Sequence, residues 1–316
     1  MRVIFMGTPD FAVGTLEAVI AAGHEVMLAV TQPDRPKGRG KAMQAPPVKV
    51  CAQAHGIEVF QPERIRNAEC IEHLRSYDAD IIIVAAFGQI LPEEILNMPR
   101  YGCVNVHASL LPKYRGAAPI QWAVINGDKV SGVTTMRMDA GLDTGDMIEK
   151  VEVTLDPEET GGSLFDRLAD AGAKLCVHTM AQIEAGTAQY EKQQESEATH
   201  VGMIKKQMGN IDWSRPAEEI ERLIRGLNPW PSAYTRLNGK TLKIWHADVV
   251  TDTAGTQQKP GTVVRVTGQE LFVQTGDGVL SLKEVQLEGK KRMDIEAFLR
   301  GYEITEQQVF GEEKGQ

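Results

Sequence analysis

Residues Ala79 to Phe87 read ADIIIVAAF. The run is apolar almost throughout and rich in β-branched side chains, but much shorter than the roughly 18 residues of a membrane helix. It has no polar face to turn toward water. Such a run fits a strand covered on both faces, as the strands of parallel sheets are. Parallel neighbours need crossover connections, usually helices. The sequence around the run supplies them. RVIFMG (Arg2 to Gly7) reads as a first buried strand. Thr8 suits a cap and Pro9 a first turn for a helix over Phe11 to Ala22. EVMLAVT (Glu25 to Thr31) is a second strand, and a helix over Pro47 to Ala54 precedes a third, IEVF. After ADIIIVAAF comes YGCVNVH, and then a helix from about Ala118.

This alternation predicts an α/β fold with a doubly wound, mostly parallel, Rossmann-like sheet. Beyond it, SGVTTMRMD (Ser131 to Asp139) and DMIEKVEV (Asp146 to Val153) alternate more clearly, as antiparallel or edge strands do. Gly161 to Gly186 has helical spacing. The expected first domain therefore covers 1–186. From 187 to 209 the composition turns to Gln, Glu, Lys, Ala and Gly, which reads as a linker. Residues 210–316 form the expected second domain: the helix PAEEIERLIRGL, then short strands separated by Gly, Asn and Asp turns, the pattern of a small β-barrel.

Charge separates the two parts. The chain's net charge is -9, which argues against a generic polyanion binder. Residues 206–316 carry 15 Lys and Arg against 16 Asp and Glu, leaving 19 against 27 for the rest. The second domain is thus nearly neutral, and its basic residues gather at Lys205-Lys206 and at Lys290-Lys291-Arg292. Cys51, Cys70, Cys103 and Cys176 are widely spaced, without a CxxC pair, and read as small buried apolar groups in a reducing compartment. No apolar run reaches membrane length and no signal-peptide core opens the chain, so the expectation is a cytoplasmic protein without membrane contact.

VNVHASLLPKYRGAAP holds the candidate chemistry. In a strand, residues two apart share a face, so Asn105 and His107 project together. They lie at the carboxyl end of a strand, where open α/β sheets present ligands. GTPDF after the first strand lacks the glycine pattern of a dinucleotide loop, which argues against a nicotinamide or flavin cofactor. DAGLDTGDM (Asp139 to Met147) is readable as a plain Asx-and-Gly turn. It gains a role only if one aspartate reaches His107, and spacing alone does not show that.

NVHASLLPKYRGAAPI together with DAGLDTGDM resembles the paired signature of the folate-dependent formyltransferases, without a gap. MGTPDFA, TQPDRPKGRGKAMQAPPVK, IDWS and LNPWP extend the resemblance over nearly the whole chain, toward the members that act on initiator Met-tRNA. One departure is Ala108, where some relatives carry Gly. The resemblance implies transfer of a formyl group from 10-formyltetrahydrofolate to the α-amino group of methionine on initiator Met-tRNA, with no metal. Asn105 and His107 would then stabilise an oxyanion, and Asp143 would orient His107 and manage a proton. Ser109, Leu110, Leu111 and Pro112 would line the folate pocket, with Phe87, Gly88, Gln89, Ile90 and Leu91 covering the pterin.

The same resemblance turns the loop from Gln32 to Pro46 into a tRNA-reading insertion. Arg39 leads, with Lys41, Arg35 and Lys37 beside it, because Arg and Lys suit phosphates and exposed base edges. It also makes the second domain an OB-like barrel whose Lys205, Lys206, Lys290 and Lys291 meet tRNA phosphates. Nothing in the sequence demands more than a monomer.

Overall fold

The structure, a computed structural model, describes residues 1–37, 42–250 and 258–311. It divides into two compact units. The first comprises Met1–Pro119, Val130–Thr154 and Phe165–Gly202; the second comprises Ile120–Lys129, Leu155–Leu164 and Met203–Gln316.

The first stretch of chain runs β1 (Arg2–Gly7), α1 (Asp10–Ala21), β2 (Glu25–Val30), β3 (Arg35–Lys37), β4 (Ala42–Gln44), α2 (Pro47–Ala54) and β5 (Glu58–Phe60). It continues through α3 (Ala68–Arg75), β6 (Ile81–Ala85), α4 (Glu93–Leu96), β7 (Cys103–His107) and β8 (Arg115–Gly116). After α5 (Pro119–Ile125) come β9 (Val130–Arg137), β10 (Met147–Thr154), α6 (Gly161–Ala185) and β11 (His200–Val201).

Seven of these strands form one sheet in the order β10-β9-β7-β6-β1-β2-β5. The five from β7 to β5 are parallel, and β9 and β10 extend the sheet antiparallel. The apolar run Ile81–Ala85 is β6, buried at all five positions. It pairs with β1 in the register Val3↔Ile81 through Gly7↔Ala85. Ile82 and Val84 pack in one core with Ile4, Met6, Leu28 and Val30. Ile81, Ile82 and Ile83 are all fully buried. Burial on that scale contributes about 1.5–3 kcal/mol per side chain.

Local details differ from the sequence reading. Thr8 does not cap α1: the N-cap residue is Pro9, which has no side-chain hydroxyl to accept a backbone N–H. The Thr8 hydroxyl instead donates to the Phe87 carbonyl at 3.1 Å, tying the ends of β1 and β6 together. Within the stretch read as a bare loop, β3 and β4 pair antiparallel, Arg35 with Gln44 and Lys37 with Ala42. The segment read as a linker is hydrogen-bonded into the first unit as far as Gly202. Glu191 bridges Met147, and β11 pairs in parallel with β8. Polar composition hid this, because the contacts are backbone ladders and side-chain hydrogen bonds rather than apolar burial.

The second unit contains α7 (Ala217–Gly226), β12 (Ala233–Leu237), β13 (Lys240–Val250) and β14 (Val263–Val266). It ends with β15 (Leu271–Gln274), β16 (Val279–Leu287), β17 (Met293–Asp294) and α8 (Ile295–Gly301). Its six-stranded sheet is antiparallel, in the order β12-β13-β16-β15-β14 with β17 beside β16. The core gathers Ile220 and Ile224 of α7, Leu280 and Leu282 of β16, Phe298 of α8 and Trp213. The Trp213 indole donates to Thr235 Oγ1 at 3.0 Å, which satisfies its one buried donor. Among the described residues, no helix is long and apolar enough to cross a membrane.

Candidate active site

Strand β7 delivers the first two groups. It is buried along its length, so its two faces meet different surroundings. Asn105 and His107 share one face, and both are buried, at 8% and 7% exposure. The neighbours in register are Met136 beside Asn105 and Thr134 beside His107 on β9. A buried polar pair needs partners, and the segments after β7 and β9 provide them.

After His107 the chain makes a tight reversal. Ser109 N–H donates to the His107 carbonyl at 2.9 Å, and the Ser109 hydroxyl donates to the Lys113 carbonyl at 2.6 Å. Thr134 Oγ1 donates to the Ser109 carbonyl at 2.7 Å and accepts from Leu111 N–H at 3.1 Å. This returns the Tyr114 carbonyl to the ring of His107, 3.0 Å from Nε2. The carbonyl only accepts, so Nε2 carries a proton and donates. Nδ1 is left facing the other side of the site.

Asp143 occupies that side. It sits in the turn between β9 and β10 with a φ of 54°. Left-handed backbone is uncommon for a residue other than glycine and is a form of strain concentrated at functional sites. One carboxylate oxygen, Oδ2, accepts from Gly116 N–H at 2.8 Å. The other, Oδ1, accepts from Asn105 Nδ2 at 3.5 Å and lies 3.8 Å from His107 Nδ1. The two groups of β7 and the aspartate, 36 to 38 positions later in the chain, thus converge on one oxygen. Asp139 shapes the turn from within, accepting from Gly141 N–H at 3.1 Å and from Thr144 Oγ1 at 2.7 Å. Gly145 has no room for a side chain: a Cβ would lie 1.8 Å from the Arg137 carbonyl.

Sequence reasoning missed a third layer of residues. Gln193 donates to the Asp143 and Gly145 carbonyls, at 2.8 Å each. Its own carbonyl oxygen accepts from Arg115 Nε at 3.0 Å. Arg115 is 2% exposed and ion-pairs with Glu195 at 2.8 Å. Arg115 lies inside NVHASLLPKYRGAAPI, where the sequence assigns it no role, and Gln193 lies in a polar stretch whose composition marks nothing.

The remaining expected positions are distributed as follows. Phe87 and Leu91 are buried, whereas Gly88 and Ile90 are exposed, Ile90 at 81%. Gln89 anchors that loop, accepting from Ile65 N–H at 2.8 Å and donating to the Pro62 carbonyl at 3.1 Å. Ser109, Leu111 and Pro112 are buried and Leu110 half-buried. The Ser109 hydroxyl is engaged in the turn itself. Arg35 is exposed on β3 and Lys37 ends that strand. Arg39 and Lys41 lie outside the described residues. Lys205, Lys206, Lys290 and Lys291 are all exposed on the second unit.

All four cysteines are buried and unpaired. Burial pushes the Cys103 and Cys176 thiols up to about 12, so neither supplies a thiolate near neutral pH. Among the described residues, Glu17, Cys51 and His55 bring ligand-type atoms within 4.8 Å of one another. Burial and the nearby Glu17 charge raise the Cys51 thiol, which works against a thiolate ligand there.

Comparison with known proteins places these residues in context. The pattern of the family described as formyl transferase matches residues 1–180, and that of the formyl transferase C-terminal domain matches residues 203–303. The methionyl-tRNA formyltransferase of Agathobacter rectalis is 67% identical over 98% of this chain and 99% of its own length. That of Lachnospira eligens is 59% identical over 99% of this chain and 100% of its own. Two solved structures share the fold. WlaRD, a sugar 3N-formyl transferase crystallised with dTDP and 5-N-formyl-THF, superposes with a TM-score of 0.65 at 20% identity, covering 92% of this chain and 99% of its own. HypX from Aquifex aeolicus, in complex with tetrahydrofolic acid, gives 0.62 at 16% identity, covering 95% of this chain and 47% of its own.

Proposed function

The chain belongs to the formyl transferase family, and from that membership we infer that it formylates the α-amino group of methionine on initiator Met-tRNA, with 10-formyltetrahydrofolate as donor. The observation that carries the reading is the convergence of Asn105 and His107 on the Asp143 carboxylate, at 3.5 and 3.8 Å.

The chemistry asks for few parts. The neutral amine attacks the formyl carbon, and the carbonyl oxygen becomes a tetrahedral oxyanion. Collapse of that adduct breaks the bond to N10 of the folate, which leaves with a proton. The net exchange is one formyl group for one hydrogen, without a covalent enzyme intermediate. Donors already in position around the oxyanion lower its energy most, because they need no reorganisation. Asn105 Nδ2 and His107 Nδ1, on the shared face of β7, are the two groups in position to donate to it. Asp143 holds the ring in place and takes the proton that the attacking amine releases. Removing one such donor costs about 10²–10³ in kcat by analogy with other oxyanion sites.

Folate binding belongs to the loop Phe87 to Leu91 and the turn Ser109 to Pro112. The first offers exposed backbone at Gly88 and the exposed Ile90 side chain. The Ser109 hydroxyl is engaged with Lys113, so Ser109 acts by shaping the turn. The site needs no metal in this reading. Arg35, Lys37, Arg39 and Lys41 read the tRNA end, and Lys205, Lys206, Lys290 and Lys291 meet its phosphates. We assign 1–186 to the catalytic domain, 187–209 to the connection, which is laddered onto the first unit as far as Gly202, and 210–316 to the OB-like tRNA-binding domain of a cytoplasmic monomer.

The testing experiment is a transfer assay read by mass spectrometry. Purified protein meets 10-formyltetrahydrofolate with initiator Met-tRNA, free methionine, glycinamide ribonucleotide and an amino-sugar nucleotide in parallel. Formyl on Met-tRNA alone is the expected outcome. Formyl on a small amine alone retains the site chemistry and overturns the tRNA assignment.

A further inference from the structure

The Asp143 turn has little apolar burial to fix it. Its residues from Asp139 to Leu142 are exposed, Leu142 at 58%. The hydrogen bonds of Asp139 to Gly141 and Thr144 hold the turn's shape but tie it to nothing outside. Besides the long contact from Asn105 and the Arg137 N–H on the Asp146 carbonyl at its end, the turn is tied to the segments beyond by Gly116 N–H on the Asp143 carboxylate and by the Gln193 amide on the carbonyls of Asp143 and Gly145. The Gln193 NH₂ has two hydrogens; the two carbonyls at 2.8 Å are its short contacts, with Met136 Sδ further off at 3.5 Å.

Gln193 is itself held. Arg115 Nε donates to its oxygen, and Arg115 Nη1 pairs with Glu195 two residues further on. Arg115 is fixed along its backbone as well, its N–H donating to the Thr199 carbonyl at 2.8 Å. A chain of contacts therefore runs from Arg115 through Gln193 to the backbone on both sides of Thr144. The contacts it governs are long: 3.5 Å from Asn105 and 3.8 Å from His107 to Asp143 Oδ1. At such distances a small shift of the turn separates the three groups.

We propose that Gln193 is a positioning residue for formyl transfer: its amide clamps the Asp143 turn so that the carboxylate stays directed at His107 and Asn105. The inference rests on the function proposed above. Gln193 need touch no substrate, and its effect passes through Asp143.

The test uses the full chain with Gln193→Glu and Gln193→Leu. Gln193→Glu keeps the length of the side chain and an oxygen for Arg115 but removes both donors. The expected result is a fall in kcat for Met-tRNA formylation of about 10²-fold, the scale on which small misplacements act. The KM values for folate and tRNA should stay within about twofold, since uniform binding is not what the clamp supplies. In an Asp143→Asn background, Gln193→Leu should add no further loss. Hydrogen exchange should show faster exchange of amides 139–147 in both variants while β7 stays protected. Unchanged kcat in Gln193→Glu, or losses that multiply in the double variant, would overturn the proposal. A wild-type protein that fails to formylate Met-tRNA would instead overturn the proposed function. The exchange measurement still reads the clamp in that case: faster exchange in the variants supports it and unchanged exchange removes it.

Discussion

The backbone N–H of Gly116 donates to Asp143 Oδ2 at 2.8 Å, so the carboxylate's second oxygen is committed to a structural contact and only Oδ1 faces Asn105 and His107. This divides the work of one side chain. An asparagine at 143 keeps an oxygen for Gly116 but turns an amide donor toward Asn105 and loses the charge beside His107 and the capacity to take a proton.

Asp143→Asn should therefore separate activity from folding. We expect kcat to fall by about 10²–10⁴, the range of a lost general base. Unfolding free energy should fall by only about 1–2 kcal/mol, the cost of leaving the Asn105 amide without its acceptor while packing and the Gly116 contact stay. Steady-state kinetics and urea denaturation on the same preparation check both. A comparable loss of stability and activity would mean that the charge is structural.

Gly116 has a φ of 100°, and a Cβ there would lie 2.6 Å from the Val201 carbonyl oxygen. Gly116→Ala meets both penalties, and its strained backbone costs about 1–3 kcal/mol. It also forces apart the β8–β11 pair and moves the donor that holds Asp143 Oδ2, so activity falls with stability. Gly202→Ala is the control: its Cβ position has nothing within 4 Å and its φ is not left-handed. That variant should stay within about 0.5 kcal/mol of wild type. Equal behaviour of the two variants in chemical denaturation would remove the steric argument.

Asp34 ties the start of β3 to α2. Its carboxylate accepts from Lys49 Nζ at 2.9 Å and from Gln61 Nε2 at 2.8 Å. The hydrogen bond from Lys49, then that from Gln61, hold its carboxyl below the ordinary range. The folded value is thus lower than the unfolded one. The contribution to stability is present above the unfolded value, about pH 4, and is lost as pH falls through the folded value. Asp34→Asn should melt below wild type at pH 7, and the gap should close as the pH is lowered from about 5 toward 3. A gap of constant size across that range would show that the ion pair is not its source.

The parallel sheet was legible because its strands are buried on both faces, and burial of that kind leaves an unbroken apolar run such as Ile81 to Ala85. β1 matched at both ends because Gly7 marks its stop. Asn105 and His107 were legible through the two-residue period of a strand. Asp143 was not legible from the residues alone, since a turn rich in Asp and Gly has an adequate local reading, and only the resemblance singled it out. Gln193 left no sequence signal. Its function is a pair of hydrogen bonds to backbone carbonyls, which any polar segment of the right reach satisfies. Apolar periodicity reports burial, and this part of the site is built from contacts that bury little apolar surface.

In the proposed function Arg39 leads the residues assigned to tRNA, and Arg35 of the same set stands exposed on β3. A residue that contacts phosphate or a base edge acts on tRNA and leaves the folate site alone. Arg39→Ala should raise the KM for initiator Met-tRNA by about tenfold, within the 1–3 kcal/mol of a lost arginine contact. The folate KM should move by less than about twofold, and a lost phosphate contact would also lower the salt slope of tRNA binding by about one. Lys290→Glu with Lys291→Glu tests the second unit the same way, and charge reversal should weaken tRNA use most at low salt, where screening is least. Arg39→Ala kinetics that fall equally on both substrates would move Arg39 from the tRNA set to the catalytic architecture. Lysine reversals that leave the tRNA KM unchanged at every salt concentration would take Lys290 and Lys291 out of the binding surface.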